Sequence, residues 1–260
     1  MTFFDIHTHT TYCDGKSAPR EMVEAAIEKG LSCIGFSGHG YTYFDERYCM
    51  SIPNVIKYIT EINQLKEEFK GKIEIRCGVE QDYYSNFSRM GFDYIIGSVH
   101  YIKVNDEYIA VDDSADVLLD AVNKHFNGDI YSLCEEYFRC VSDVVAKTGA
   151  DVIGHFDLIS KFNEGEKLFD ESHPRYVAAY QAAIDRLVEY SIPFEVNTGA
   201  ISRGYRTHPY PSRKQIEYIA EKGGTVVLTG DTHSAENLCF EFEKWYAECE
   251  KIGVNIKTHW

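Results

Sequence analysis

The chain has 260 residues, 44% of them apolar, and a formal net charge of −15 from 41 acidic and 26 basic side chains. This apolar share supports a large core in one α/β barrel or two small domains. The acidic balance disfavours a nucleic-acid partner and fits a small soluble substrate.

No run of about 18 uncharged apolar residues marks a membrane helix. Met1 leads directly into Thr2-Phe3-Phe4-Asp5 with no secretory signal, and the eight cysteines include no C-x-x-C pair, so they read as reduced thiols of a cytoplasmic protein. Cys13, beside Asp14, reads as one of these thiols rather than a soft metal ligand.

In chain order the pattern predicts a strand over Phe3–Thr8, a helix over Pro19–Lys29 closed by Gly30, and an apolar strand over Leu31–Ser37. Tyr41–Ser51 reads as a loop, followed by a helix over Asn54–Phe69 with Val55, Ile56, Ile59, Ile62 and Leu65 at helical spacing. Strands follow over Lys72–Val79 and Tyr94–Val99, then an irregular loop from Tyr101 to Ile130. A helix over Ser132–Lys147, a strand over Asp151–His155, a helix over Ser172–Tyr190 and a strand over Ile192–Asn197 come next. The chain closes with a helix over Ser212–Lys222, a strand over Thr225–Thr229 and a helix over Ala235–Lys251. Seven apolar strands separated mostly by helices, with no linker, predict a single-domain α/β fold, a parallel barrel over 1–260.

Strand ends in such a barrel converge on one face, where barrel enzymes keep their active sites. Nine ligand-type side chains fall there: His7, His9, Asp14, His39, Glu80, His100, His155, Asp231 and His233. His7 and His9 are two apart in a strand and so share a side. Imidazoles with carboxylates suit zinc, manganese or iron, and the sequence does not choose among them. Nine such residues fit three divalent ions in one pocket. Such a pocket suits hydrolysis of a phosphate ester.

His7-x-His9, Asp14, Gly38-His39, Glu80, Ser98-Val99-His100, Gly154-His155 and Asp231-x-His233, in this order, resemble the polymerase and histidinol phosphatase (PHP) family over nearly the whole chain. The resemblance implies a distorted seven-stranded (β/α)7 TIM-like barrel with a trinuclear metal site. His7, His9, Glu80 and Asp231 would hold one ion. Glu80, as a bridge, would hold a second with His100 and His155. Asp14, His39 and His233 would hold the third. Some family members have histidine where this chain has Asp14.

Three divalent ions, less three carboxylates and a bridging hydroxide, leave about +2, which suits a phosphate dianion. Glu80 and Asp231 are the catalytic carboxylates of this reading. Arg203 is its phosphate clamp, and Lys161 a weaker one. Glu195 and Asn197 are expected to bind substrate or to orient the histidines, with Glu195 suited to a cationic amino alcohol. The histidinol-phosphatase branch is implied by Gly154-His155-Phe156-Asp157 and the Asn197-Thr198-Gly199 to Arg203 segment. The expected reaction is in-line attack of a metal-bridging hydroxide on L-histidinol phosphate. Phosphotyrosine or a nucleotide or oligonucleotide ester is the alternative substrate. An amidohydrolase-like barrel lacks support because the mid-barrel bridge here is Glu80 rather than lysine. A degenerate accessory module is disfavoured because all nine candidates are kept.

Overall fold

The computed structural model describes residues 2–85 and 89–260. Its strands are β1 (Phe4–Asp5), β2 (Cys33–Phe36), β3 (Glu74–Asp82), β4 (Tyr94–Ser98), β5 (Tyr101–Val104), β6 (Glu107–Ala110), β7 (Val152–Ile153), β8 (Phe194–Asn197), β9 (Thr225–Thr229) and β10 (Asn255–Ile256). Its α-helices are α1 (Pro19–Glu28), α2 (Ile52–Glu68), α3 (Ala115–His125), α4 (Ile130–Thr148), α5 (Pro174–Leu187), α6 (Gly199–Ser202), α7 (Arg213–Glu221) and α8 (Phe242–Ile252). Eight strands form one parallel sheet in the order β1-β2-β3-β4-β7-β8-β9-β10. The seven strands read from the sequence are all present, and β10 is an addition at the far edge. The sheet curls far enough for Thr8, just past β1, to bridge Thr232, just past β9.

The helices form where local chemistry closes their ends. Ser51 accepts from the Asn54 N–H at the start of α2, which buries Val55, Tyr58, Ile62 and Leu65. Asp129 caps α4 through the Tyr131 N–H, and Gly149 ends it in the left-handed conformation at φ 68°. Of the apolar residues at helical spacing in α2, Val55, Ile62 and Leu65 are buried, whereas Ile56 is exposed.

Inside the curl, Phe4, Ile6, Cys33, Tyr94, Ile96, Val152 and Val227 form one buried cluster, with Trp260 packed against it. The Tyr94 hydroxyl reaches the carbonyls of Ile6 (2.5 Å) and Phe36 (3.1 Å). Gly78 makes room for this ring, since a Cβ there would run into it. The apolar plug supports the strand ends, so that the polar residues beyond it are held on a rigid floor.

Two expectations need correction. The segment from Tyr101 to Ile130 is not an irregular loop. It contains the antiparallel hairpin β5–β6 and helix α3. Asn105 and Asp106 make the turn at φ 50° and 64°, a conformation these short polar side chains tolerate. Ser114 then caps α3 through the Val117 N–H. The helix expected over Ala235–Lys251 is broken: a short 3-10 turn covers Ala235–Asn237, and α8 begins only at Phe242. Cys239 and Glu241, both with φ 55°, cannot continue a right-handed helix.

Candidate metal centre

All nine predicted ligands come together where the parallel strands end. Glu80, in β3 and almost fully buried, is the hub. Its Oε2 lies 2.9 Å from His39 Nδ1, 3.3 Å from His7 Nε2 and 3.6 Å from His9 Nε2. Its Oε1 lies 2.8 Å from His155 Nε2 and 3.3 Å from His100 Nε2, and accepts a hydrogen bond from Ser98 Oγ at 2.6 Å. The two oxygens thus face two different sets of histidines. His7 and His9, just past β1, both reach Glu80 Oε2, as their spacing predicts.

Asp231 Oδ1 lies 3.3 Å from His9 Nε2 and 3.8 Å from His7 Nε2. Asp14 lies beside three histidines, 3.2 Å from His233 Nε2, 3.5 Å from His9 Nδ1 and 3.7 Å from His39 Nε2. The tightest ligand groups, with atoms within 4.8 Å, are His9-Asp14-His39-His233, His7-His9-Glu80 and His39-Glu80-His100. Asp231 and His155 lie just outside these groups but touch their members.

The residues fit a bound cation on an observation of their own. His7 Nε2 and His9 Nε2 are buried, converge on Glu80 Oε2 and make no hydrogen bond among the described residues, and the same Oε2 is met by His39 Nδ1 at 2.9 Å. Buried imidazole nitrogens without a hydrogen bond are costly, and a divalent ion between them and the Glu80 carboxylate satisfies both at once.

The electrostatics agree. Burial disfavours charge on Glu80, but His39, His7 and His100 outweigh it and hold its carboxyl well below the usual range. Burial likewise opposes ionisation of Asp231, and Arg203 and His7 overcome it. Burial lowers His9 to about 3, helped by its neighbours His233 and His39, so its ring stays neutral and able to ligate. For His7 burial is outweighed by Glu195, Glu80 and Asp231, which raise it well above 6.5, so the metal-free ring is protonated on both nitrogens and a metal would have to displace the Nε2 proton while Glu195 keeps the one on Nδ1.

Glu195 and Asn197, expected near substrate, are fully buried behind the histidines. Glu195 Oε1 accepts from His7 Nδ1 at 2.6 Å, which fixes a proton there and leaves Nε2 as the atom that faces Glu80 and Asp231. Glu195 Oε2 accepts from the His155 N–H (2.8 Å) and from Asn197 Nδ2 (3.2 Å), while Asn197 Oδ1 accepts from the Gly199 N–H. With their polar atoms engaged, neither residue is placed to touch substrate, and the orienting alternative describes their contacts.

Arg203 follows α6, and its Nη2 lies 3.0 Å from Asp231 Oδ2. Its side chain is 29% exposed and lines the pocket. Lys161 lines the same pocket but donates to the Asp112 carbonyl at 2.8 Å, which restrains it. Arg206 is buried away from the ligands and donates to Ser160 Oγ.

Three orienting residues escaped the sequence reading. Asp82 accepts from the His100 N–H (2.9 Å) and lies 3.5 Å from His100 Nδ1. Ser98 holds Glu80. Asp5 holds the turn that carries Asp231. Asp5 sits two residues before His7 and Asp82 two after Glu80, so a search of neighbours at strand spacing would have found both.

A curled parallel α/β sheet with a carboxylate-centred cluster of histidines at its strand ends defines a protein that binds divalent metal. Residues 5–199 match the PHP domain, and the chain belongs to that family. A histidinol-phosphatase of Lactococcus lactis is 30% identical over 98% of this chain and 93% of its own length. The histidinol-phosphatase of Bacillus subtilis is 26% identical over 94% of this chain and 98% of its own. The crystal structure of Lactococcus lactis histidinol phosphate phosphatase, complexed with zinc, L-histidinol and phosphate, superposes with a TM-score of 0.73 at 24% identity. It covers 98% of this chain and 95% of that one. At that identity the superposition supports the fold.

Proposed function

We propose that this chain is a cytoplasmic phosphomonoesterase that uses three divalent ions of zinc, manganese or iron to hydrolyse L-histidinol phosphate to L-histidinol and phosphate. The observation that carries this reading is the convergence on Glu80 Oε2 of His7 Nε2 and His9 Nε2, both buried and without a hydrogen bond among the described residues. The curled sheet then reads as the distorted (β/α)7 barrel with β10 appended. The two oxygens of Glu80 support its role as a bridge: one side would serve the ion of His7, His9 and Asp231, the other that of His100 and His155. Asp14, His39 and His233 would hold the third.

When bound, such ions lower the pKa of water toward about 7 and offset charge developing on a phosphoryl group. The chain supplies the rest. Glu195 keeps His7 in the tautomer that presents Nε2. His233 Nδ1 lies 2.8 Å from Arg203 Nη1, which can only donate, and 2.9 Å from the Asp231 carbonyl, while its Nε2 faces Asp14 at 3.2 Å. Arg203 directs Nη1 to the Asp231 carbonyl and His233 Nδ1 and one Nη2 proton to Asp231 Oδ2, which leaves its Nε–H and the other Nη2 proton for phosphoryl oxygens. An adjoining cavity of about 250 Å³, sharing Asp14, His39 and His100 with the centre, is lined by Tyr48, Tyr101, Asp45, Asp112 and Asp113. Its size suits a small alcohol rather than a nucleic-acid strand, and Arg47, which also lines it, pairs with Asp45 at 2.6 Å.

The test is a panel of initial rates with metal-loaded protein on histidinol phosphate, phosphotyrosine and a nucleoside bisphosphate. The reading expects histidinol phosphate to lead in kcat/KM. Turnover of it no faster than the other two would remove the substrate assignment.

A further inference from the structure

We infer that Asp5, outside the ligand set, is a positioning residue that locks the metal-ligand turn of β9 onto β1. The inference rests on the metal-site reading above.

Asp5 has no exposed surface, and its carboxylate gathers four donors from three separate stretches of chain. Oδ1 accepts from the N–H groups of Gly230 (3.0 Å) and His7 (3.2 Å). Oδ2 accepts from Thr232 Oγ1 (3.2 Å) and, more weakly, from the Cys239 N–H (3.5 Å). No lysine or arginine is among these partners. A buried carboxylate without a cation is expensive, so its place in the core needs a function beyond packing.

That function is visible in what the four bonds hold. Gly230, Asp231 and Thr232 form the turn that leaves β9. Asp231 has φ 44°, an uncommon conformation for a residue with a side chain. Backbone bonds tie the turn to β1 on either side of the ligands, from the Thr232 N–H to the His7 carbonyl (2.9 Å) and from the His9 N–H to the Thr232 carbonyl (2.8 Å). Asp5 completes this seam by gripping the residues before and after Asp231 together with the backbone of His7. Gly230 is required here, because a Cβ would run into the Asp5 carboxylate and the Thr232 hydroxyl. One buried carboxylate therefore sets the relative placement of two ligands on opposite sides of the seam, His7 and Asp231.

The experiment compares wild type, Asp5→Asn and Thr232→Val as full chains loaded with Zn²⁺ and titrated with a competing chelator, with metal content as the readout. Urea unfolding of each metal-free protein measures the fold separately. Asp5→Asn is expected to lose half its metal at about tenfold lower chelator concentration than wild type, the usual scale for an orienting contact. Thr232→Val, which deletes one of the four bonds to the Asp5 carboxylate, is expected to show a smaller shift of about threefold. A role confined to folding would weaken the metal-free protein and leave metal retention of the folded chain unchanged. If Asp5→Asn does not fold, Thr232→Val decides. Retention curves within twofold of wild type in the folded variants would overturn the inference. Failure of wild type itself to hold metal would instead overturn the metal-site reading.

Discussion

Replacing Glu195 with Gln tests how the centre is held without touching a ligand. Glu195 is fully buried, and its two oxygens serve two different ligands, the His7 ring and the His155 backbone. The amide of glutamine has only one acceptor. If that oxygen keeps the His155 N–H, the amide NH2 faces His7 Nδ1 and forces the proton onto Nε2, the atom that must present its lone pair. A hydrogen bond to a charged group contributes about 1.5–3 kcal/mol. At about 1.4 kcal/mol per tenfold, that is roughly 10- to 150-fold in metal affinity. The upper part of that range is expected, because the wrong tautomer is imposed as well as a bond lost. Calorimetric titration of the metal-free protein with Zn²⁺, together with rates across metal concentrations, measures it. The variant should regain much of its kcat at high metal. Wild-type affinity in a folded Glu195→Gln protein would refute the claim that this carboxylate sets the His7 tautomer.

Other consequences follow from the same contacts. His9→Ala should abolish turnover while near-ultraviolet circular dichroism shows native packing, and full activity in that variant would reject its place in the centre. Arg203→Ala should lower kcat/KM by about 10²–10³ by removing a charge-stabilising donor, and Arg203→Lys should restore only part of it. Burial pushes Asp157 up to about 7, against the opposing pull of Arg206. Its folded-state pKa lies above the unfolded value near 3.8, so the folded chain binds the proton more tightly. The stability this contributes is full below about pH 4 and is lost as pH rises toward 7. The slope is at most about 1.4 kcal/mol per pH unit. Urea unfolding of the metal-free protein between pH 5 and 8 measures this slope, and Asp157→Asn should flatten it.

Seven strands of the sheet were legible because they are short and apolar and most lead into a metal-ligand residue, as in Gly38-His39 and Gly154-His155. The grouping of the nine ligands was legible for the same reason, since parallel strands bring their ends to one face. Hairpin β5–β6 was missed because its strands have four residues each, and charged Lys103 and Glu107 obscure the alternation. The break before α8 was missed because left-handed Cys239 and Glu241 carry no sequence mark of the glycine kind. Glu195 could be a substrate contact or a support on sequence alone. Only burial and the direction of its oxygens separate the two, and those depend on β1, β7 and β8 meeting in space.

The most direct measurement is metal content followed alongside turnover of histidinol phosphate as the chelated protein is reconstituted. The account predicts negligible activity in the stripped chain and recovery in step with bound ions, saturating near three per chain. Full activity in a preparation that stays metal-free would contradict it.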